Sequence, residues 1–433
     1  MEQTEEKIIK AKKFNSKLYP FYKMFAWDLL FYYSIIFLFL TQTKGFTSSD
    51  VLFTDSFYPL FKLIFQIPCV NIVETLGKRK SLIFGNLIIA ASILVVIIAK
   101  NVPNMIFANA LMALGYSIKS LCESSLLSDC IISKGHPRTV FSNIDGKGSA
   151  YWYYLDAITA VSCGFLYVVN SYLPMVLCLI ACGVACILCV NFLPYENTNM
   201  IIKLDNEAGS YKEYFKDLRI AFKNIFKSRR LKALLLFSGA FAAVLTVRST
   251  IASSLFTEIG VPEQYFGIIF AALTFISGIA SKRQIFFHKK FRNRVLTYFS
   301  MAFSISMIVI GLTAIIFKSS KFAFIIILCA YTLQYIIKGP YYTLQKRYLN
   351  SFSTPTMTTK IYSACTLIES IFSVSIYWIA SWLLGFMSTS FAIVILGCVF
   401  AILFVFILDY MKDRIGLKPE EYNKKDITFT EIH

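Results

Sequence analysis

Apolar stretches long enough for a helix to cross a bilayer recur along this chain. A helix needs roughly 20 residues to span about 30 Å of hydrocarbon. Twelve runs meet that requirement, near 20–41, 51–76, 81–99, 103–127, 149–170, 172–193, 233–254, 264–281, 295–317, 322–344, 361–383 and 386–410. With 57% hydrophobic and only 16% charged residues among 433, there is too little charge to clothe a soluble domain, so the excess apolar surface faces lipid.

The bases test that count independently, because cytoplasmic loops collect Lys and Arg. Counting alternate loops from an inner N-terminus, 34 of the 43 bases fall on the inner side, and the outer loops hold only Lys44, Lys100, Lys318 and Lys321. Lys23, Lys62, Lys119, Arg248 and Lys338 fall inside spans. One helix more or fewer would invert every later loop. The expectation is an all-α polytopic protein of the cell membrane, with twelve transmembrane helices and both termini cytoplasmic. Bases spread over every inner loop account for the +18 net charge by topology, so nucleic acid is not an expected partner. The polar opening "MEQTEEKIIKAKKFNSKLYP" lacks a short apolar core with a cleavage site, which predicts that the first span is retained as a signal anchor.

The longest interruption divides the chain into a six-helix half over 1–193, a basic connector over 194–232, a second six-helix half over 233–410 and a cytoplasmic tail over 411–433. In the connector, Phe215, Leu218, Phe222, Ile225 and Phe226 share a helical stripe, with Lys212, Lys216, Arg219, Lys223 and Lys227 mostly on its other sides. Such a helix lies along the inner membrane surface. Tight outer turns, "NSYLPM" and "GFMST", hold equivalent places in the two halves.

Between the second and third spans, "FQIPCVNIVETLGKRKSLIFG" interrupts two apolar runs with an acid and three bases. Glu74, Gly77, Lys78 and Arg79 resemble the loop motif of the major facilitator superfamily, in which an acid, two spacers, a Gly and two bases join these helices. Val70 stands where the motif opens on Gly, and Glu74 where Asp is usual. The stretches "CESSLLSDCIISKG", "EQYFGIIFA" and "RIGLKPEEY" look like those of a bacterial, drug-exporter-like branch, while the basic "SGIASKRQIFFHKKFRNR" of the second half has no acid. The resemblance implies two halves that rock around a central site, and a gate in which Glu74 faces the start of the eleventh helix, "STPTMTTKIY", near Lys360.

Charges inside spans are costly and normally face a bundle interior, a partner or a water-filled path. At about 1.5 Å per residue, Asp28 and Glu369 each lie about 12 Å into their helices, near mid-membrane. Tyr32, Tyr33, Tyr362 and Trp378 nearby suit a partly aromatic cavity for amphipathic or cationic organic substrates. Lys119 and Glu123, four apart, are expected to pair on one face of the fourth helix, with Asp156 at similar depth in the fifth. Lys62 and Asp55 share a face of the second helix, Arg248 lies toward the outer end of the seventh, and "IIKGPYY" is expected to break the tenth around Lys338. Asp28, Glu123, Asp156 and Glu369 are the candidates for carrying protons, and fixed salt bridges between helices are the alternative.

Cys178, Cys182, Cys186 and Cys189 share one helical face, within about 80°, and read as small packing residues. The three His make no zinc spacing, and no metal, cofactor or catalytic residue is expected. No GxxxxGK[ST] phosphate loop is present to drive a pump, and no HExxH run suggests an enzyme. The expected function is secondary transport by a monomer, coupling protons to export of a small organic molecule. An uptake symporter for a nutrient, peptide or organic ion is the alternative, and a non-transporting sensor or membrane enzyme is a third reading.

Overall fold

The structure, a computed structural model, describes residues 2–132, 137–194, 216, 219, 223, 229–291, 294–317, 320–351 and 358–412. The apolar stripe of the connector, the tail beyond Lys412 and the side chains of Glu74, Lys360 and Tyr362 lie outside the described residues. Lys216, Arg219 and Lys223 are described, helical and exposed.

Among the described residues every regular element is a helix. The main ones are α1 (Glu2–Ala26), α2 (Ser48–Asp55), α3 (Phe57–Leu76), α4 (Lys78–Ile98), α5 (Val102–Cys130), α6 (Pro137–Val169) and α7 (Leu173–Val190). They continue as α8 (Arg229–Glu258), α9 (Gln264–Lys282), α10 (Gln284–Phe291), α11 (Val295–Phe317), α12 (Lys321–Ser351), α13 (Thr358–Phe386) and α14 (Thr389–Lys412). Ten of them are long and apolar enough to cross a membrane, which makes this a multi-pass membrane protein.

The two remaining expected spans are interrupted, each for a local reason. The run 20–41 is helical only to Ala26, then turns through Trp27–Ile35 before a short helix, Ile36–Leu38, and a wide π turn, Phe39–Thr43. The Asp28 carboxylate accepts the Leu29 N–H at 2.9 Å, a local bond that competes with the helical ladder, and Phe31 takes φ 60. The run 51–76 is divided at Ser56 into α2 and α3. Pro59 explains the division, because it has no N–H to give the carbonyl four residues back, at Asp55, and its ring crowds that carbonyl. Asp55 and Lys62 therefore do not share one helix face: the Asp55 carboxylate accepts from Thr250 at 3.1 Å, and the Lys62 amine lies 6.0 Å from the Tyr58 ring centre.

By contrast, α12 runs unbroken through Pro340, against the expected break near Lys338. Membrane helices accommodate proline where neighbouring elements meet the freed backbone groups. The adjacent Gly339 serves packing instead: without a Cβ, it lets α12 press directly on the Ser277 carbonyl of α9.

The chain forms two compact units. The first comprises Met1–Phe46, Phe57–Tyr214 and Glu263–Ile268, and the second Thr47–Ser56, Phe215–Pro262 and Ile269–His433. In the first, α1 packs on α6, and α4 on α5 and α7. In the second, α8 packs on α13, and α11 on α12 and α14. The pairs α1–α6 and α4–α7 thus correspond to α8–α13 and α11–α14, a repeat of packing that the sequence expressed only as parallel topology. Short segments complete each unit from afar: α2 packs on α13 in the second, and Gly164 and Gly267 bring the start of α9 against α6 in the first.

Glycine also brings α4 close to α5 in the first unit. A methyl group on Gly115 would stand 2.6 Å from Ile89 Cγ1 and 2.8 Å from the Gly85 carbonyl. Small residues at such crossings let lipid-embedded helices gain van der Waals contact that side chains would prevent.

Candidate functional site

The break in the first span sets a carboxylate among polar groups. Asp28 Oδ1 accepts from the Leu29 N–H at 2.9 Å, the Tyr33 hydroxyl at 2.9 Å and the Tyr116 hydroxyl at 2.8 Å. The indole of Trp152 donates to the Asp28 carbonyl at 3.2 Å. All three carboxylate bonds fall on one oxygen, and Oδ2 accepts none among the described residues. Asp28, Asn86, Tyr116, Lys119 and Cys182 line a small cavity, with room for about one water molecule. Tyr58, Lys62 and Asp156 lie within electrostatic range of Asp28.

Lys119 and Glu123 do not form the expected pair. The Lys119 amine donates instead to the Trp27 carbonyl at 3.2 Å and lies 4.8 Å from the Tyr116 ring centre. The cause is the break itself, since carbonyls at a helix C-terminus lack intrahelical donors and attract cations. Glu123 Oε1 is left buried without a hydrogen-bond partner. The α1–α6 ion pair belongs to other residues: Lys23 Nζ lies 2.5 Å from Asp145 Oδ1, and Tyr19 donates to the same carboxylate at 3.2 Å.

The inner loop is shaped by its glycine and anchored by its bases. Gly77 has φ 79, a left-handed conformation that side chains resist, and it ends α3 and starts α4 in one step. Lys78 Nζ lies 2.5 Å from Asp129 Oδ2 at the end of α5, and Arg79 donates to the Val190 carbonyl at 3.0 Å at the end of α7. Both bases thus tie α4 to neighbours of the first unit.

In the second unit, Glu369 Oε1 accepts from Gln345 at 2.5 Å and from the Cys365 thiol at 3.4 Å. Trp378 donates its indole N–H to Ser56 at 2.8 Å. Arg248 is buried in α8 against Tyr335, with Lys338 Nζ 5.7 Å from the same ring. Tyr32 is buried beside Tyr33, with ring centres 5.3 Å apart. Asp28 and Glu369 therefore each occupy a hydrogen-bonded setting within its own unit.

Sequence reasoning missed Tyr116, Trp152, Asp145 and Glu258. Tyr116 had a signal, one helical turn before Lys119. Glu258, at the end of α8, accepts the Thr389 N–H at 2.6 Å and the Ser390 hydroxyl at 2.5 Å, capping α14; no local pattern announces that bond.

No family model matches the chain, and no curated protein matches it. Solved structures do. The nucleoside transporter NupG superposes with a TM-score of 0.69 at 13% identity, over 94% of this chain and 100% of that one. This chain shares the fold of that transporter. A D-xylose-proton symporter gives a TM-score of 0.64 at 12% identity over 93% of this chain and 97% of its own. A POT family transporter in complex with 5-aminolevulinic acid gives 0.62 at 12% identity, over 94% and 96%. Each of these neighbours is a transporter rather than an enzyme.

Proposed function

We propose that this chain is a secondary transporter of the major facilitator type, with twelve spans in two six-helix halves, 1–193 and 233–410. It works as a monomer in the cell membrane, with both termini cytoplasmic, the basic connector 194–232 on the inner surface and the tail 411–433 inside. It exports a small organic molecule in exchange for protons. Likeness in fold to nucleoside, peptide and sugar transporters supports the class.

The observation that carries coupling is the one-sided bonding of Asp28. Its Oδ1 is fixed by three donors, so the carboxylate is oriented, while Oδ2 has no protein donor among the described residues. A proton or a cationic group of the substrate takes Oδ2, and since one excludes the other, release of one accompanies capture of the other. Glu123, Asp156 and Glu369 are the further proton-carrying candidates. Glu74, Gly77, Lys78 and Arg79 form the inner gate, and Glu74→Gln is expected to change its accessibility; unchanged accessibility and transport would remove Glu74 from that role.

The second reading is uptake, favoured by the likeness to a D-xylose-proton symporter. Accumulation of cationic fluorescent dyes and antibiotics in an efflux-deficient bacterial host, with and without a protonophore, separates the two. Export predicts lowered accumulation that the protonophore restores; raised, protonophore-sensitive accumulation is the signature of uptake.

A further inference from the structure

The second unit holds a cation that no described residue answers. Arg248 lies in the membrane-spanning part of α8 and is only 5% exposed. Its Nε and Nη1 are buried without a hydrogen-bond partner, and among the described residues no ion pair involves it. Guanidinium does not deprotonate in proteins, so the group keeps its charge and its five N–H donors at any working pH. A buried, unanswered charge is costly anywhere and most of all in a membrane span.

The surroundings hold this cation without satisfying it. Its central carbon lies over the Tyr335 ring, 3.7 Å from the ring centre, a contact with the ring face that gives the buried N–H edge no acceptor. Lys338 lies over the same ring and adds positive charge. Three acids of this unit's helices are engaged elsewhere: Asp55 accepts from Thr250, Glu369 from Gln345, and Glu258 caps α14. The ring supplies no acceptor for the donors, and among the described residues no carboxylate pairs with Arg248.

We infer that Arg248 anchors a carboxylate group of the transported molecule, held edge-on by the guanidinium and flanked by Tyr335. A planar fork of N–H donors matches a carboxylate bidentately, and an arginine already held against a ring loses little freedom on binding it. The substrate is therefore a small organic acid or zwitterion, a different class from the purely cationic molecules that the span acids suggest. This inference rests on the transporter reading above and gives that transporter's substrate its anionic end.

The test uses purified full-length protein in lipid nanodiscs, with sodium benzoate and sodium acetate as probes. Phenylglyoxal modification of Arg248, followed by mass spectrometry, is expected to slow severalfold in either carboxylate and to be unchanged by sodium chloride or benzamidine. Arg248→Lys and Arg248→Gln are expected to weaken benzoate binding about tenfold or more, the size of a lost charge-assisted bond. If neither carboxylate protects Arg248 in the wild-type protein, or benzamidine protects equally, the site does not exist as described. The labelling needs no variant, so a variant that fails to fold leaves the decision intact. It also needs no flux: protection without transport of any carboxylate would overturn the transporter reading and leave the anion site standing.

Discussion

Lys23 in α1 and Asp145 in α6 are joined with Nζ 2.5 Å from Oδ1, and their burial is unequal, the side chains being 7% and 31% exposed. Removing one partner of a buried pair strands the other, so the two deletions should differ. Asp145→Ala, which strands the buried lysine, is expected to cost about 2–4 kcal/mol, and Lys23→Met less, because water reaches the remaining acid. Thermal unfolding of the two variants in the same detergent decides the order; equal losses would contradict it.

Tyr116 supplies one of the three donors to Asp28 Oδ1. Tyr116→Phe is expected to cost about 1 kcal/mol of stability and to lower flux, because Tyr33 and the Leu29 N–H remain. Asp28→Asn is expected to retain folding and lose gradient-driven flux. The measurement is substrate movement in proteoliposomes under an imposed pH gradient, and an Asp28→Asn protein still driven by that gradient would exclude Asp28 as the coupling acid.

Gly115 and Gly183 lie in membrane helices of one unit but differ in what a methyl group would meet. At Gly115 it meets Ile89 and the Gly85 backbone, whereas at Gly183 nothing lies within 4 Å. Gly115→Ala is expected to destabilise by about 1–3 kcal/mol through overpacking. Gly183→Ala should be neutral or stabilise by up to about 1 kcal/mol, since alanine orders a helix more cheaply than glycine. Melting temperatures of the pair give the answer, and a reversal would mean that α4 and α5 do not cross this closely.

Glu258 caps α14 through Thr389 and Ser390. Glu258→Ala is expected to cost about 0.5–2 kcal/mol, the usual range for a lost cap, with Gln recovering part through its single carbonyl. Hydrogen exchange at the first turn of α14 reads this directly; protection unchanged in the alanine variant would show that the cap is dispensable.

The spans were legible because lipid tolerates only long, internally bonded apolar helices, a constraint that leaves its mark on every loop. The interruption at Trp27–Ile35 was not, since neither Gly nor Pro announces it; a side-chain bond at Asp28 and a left-handed Phe31 make it. Proline misled in both directions. Pro59 marks a real division three residues upstream, at Ser56, while Pro340 sits inside a helix that runs on unbroken. The buried charges were visible as residue types, but their partners were not. Lys119 turns to the Trp27 carbonyl rather than to Glu123 because that carbonyl is left without a helical donor only once the helix breaks.

The Ser49 hydroxyl of α2 donates to the Ser381 carbonyl of α13 at 2.7 Å, across 332 positions of sequence. At about 5–20 residues per second of synthesis, roughly 15–70 s separate the emergence of these two residues from the ribosome. Throughout that interval α2 is inserted without the helix it belongs against, its serines unmatched. The second unit therefore matures only after the chain is nearly finished, and an N-terminal fragment ending at the connector would carry α2 as an unsheltered segment exposed to membrane quality control.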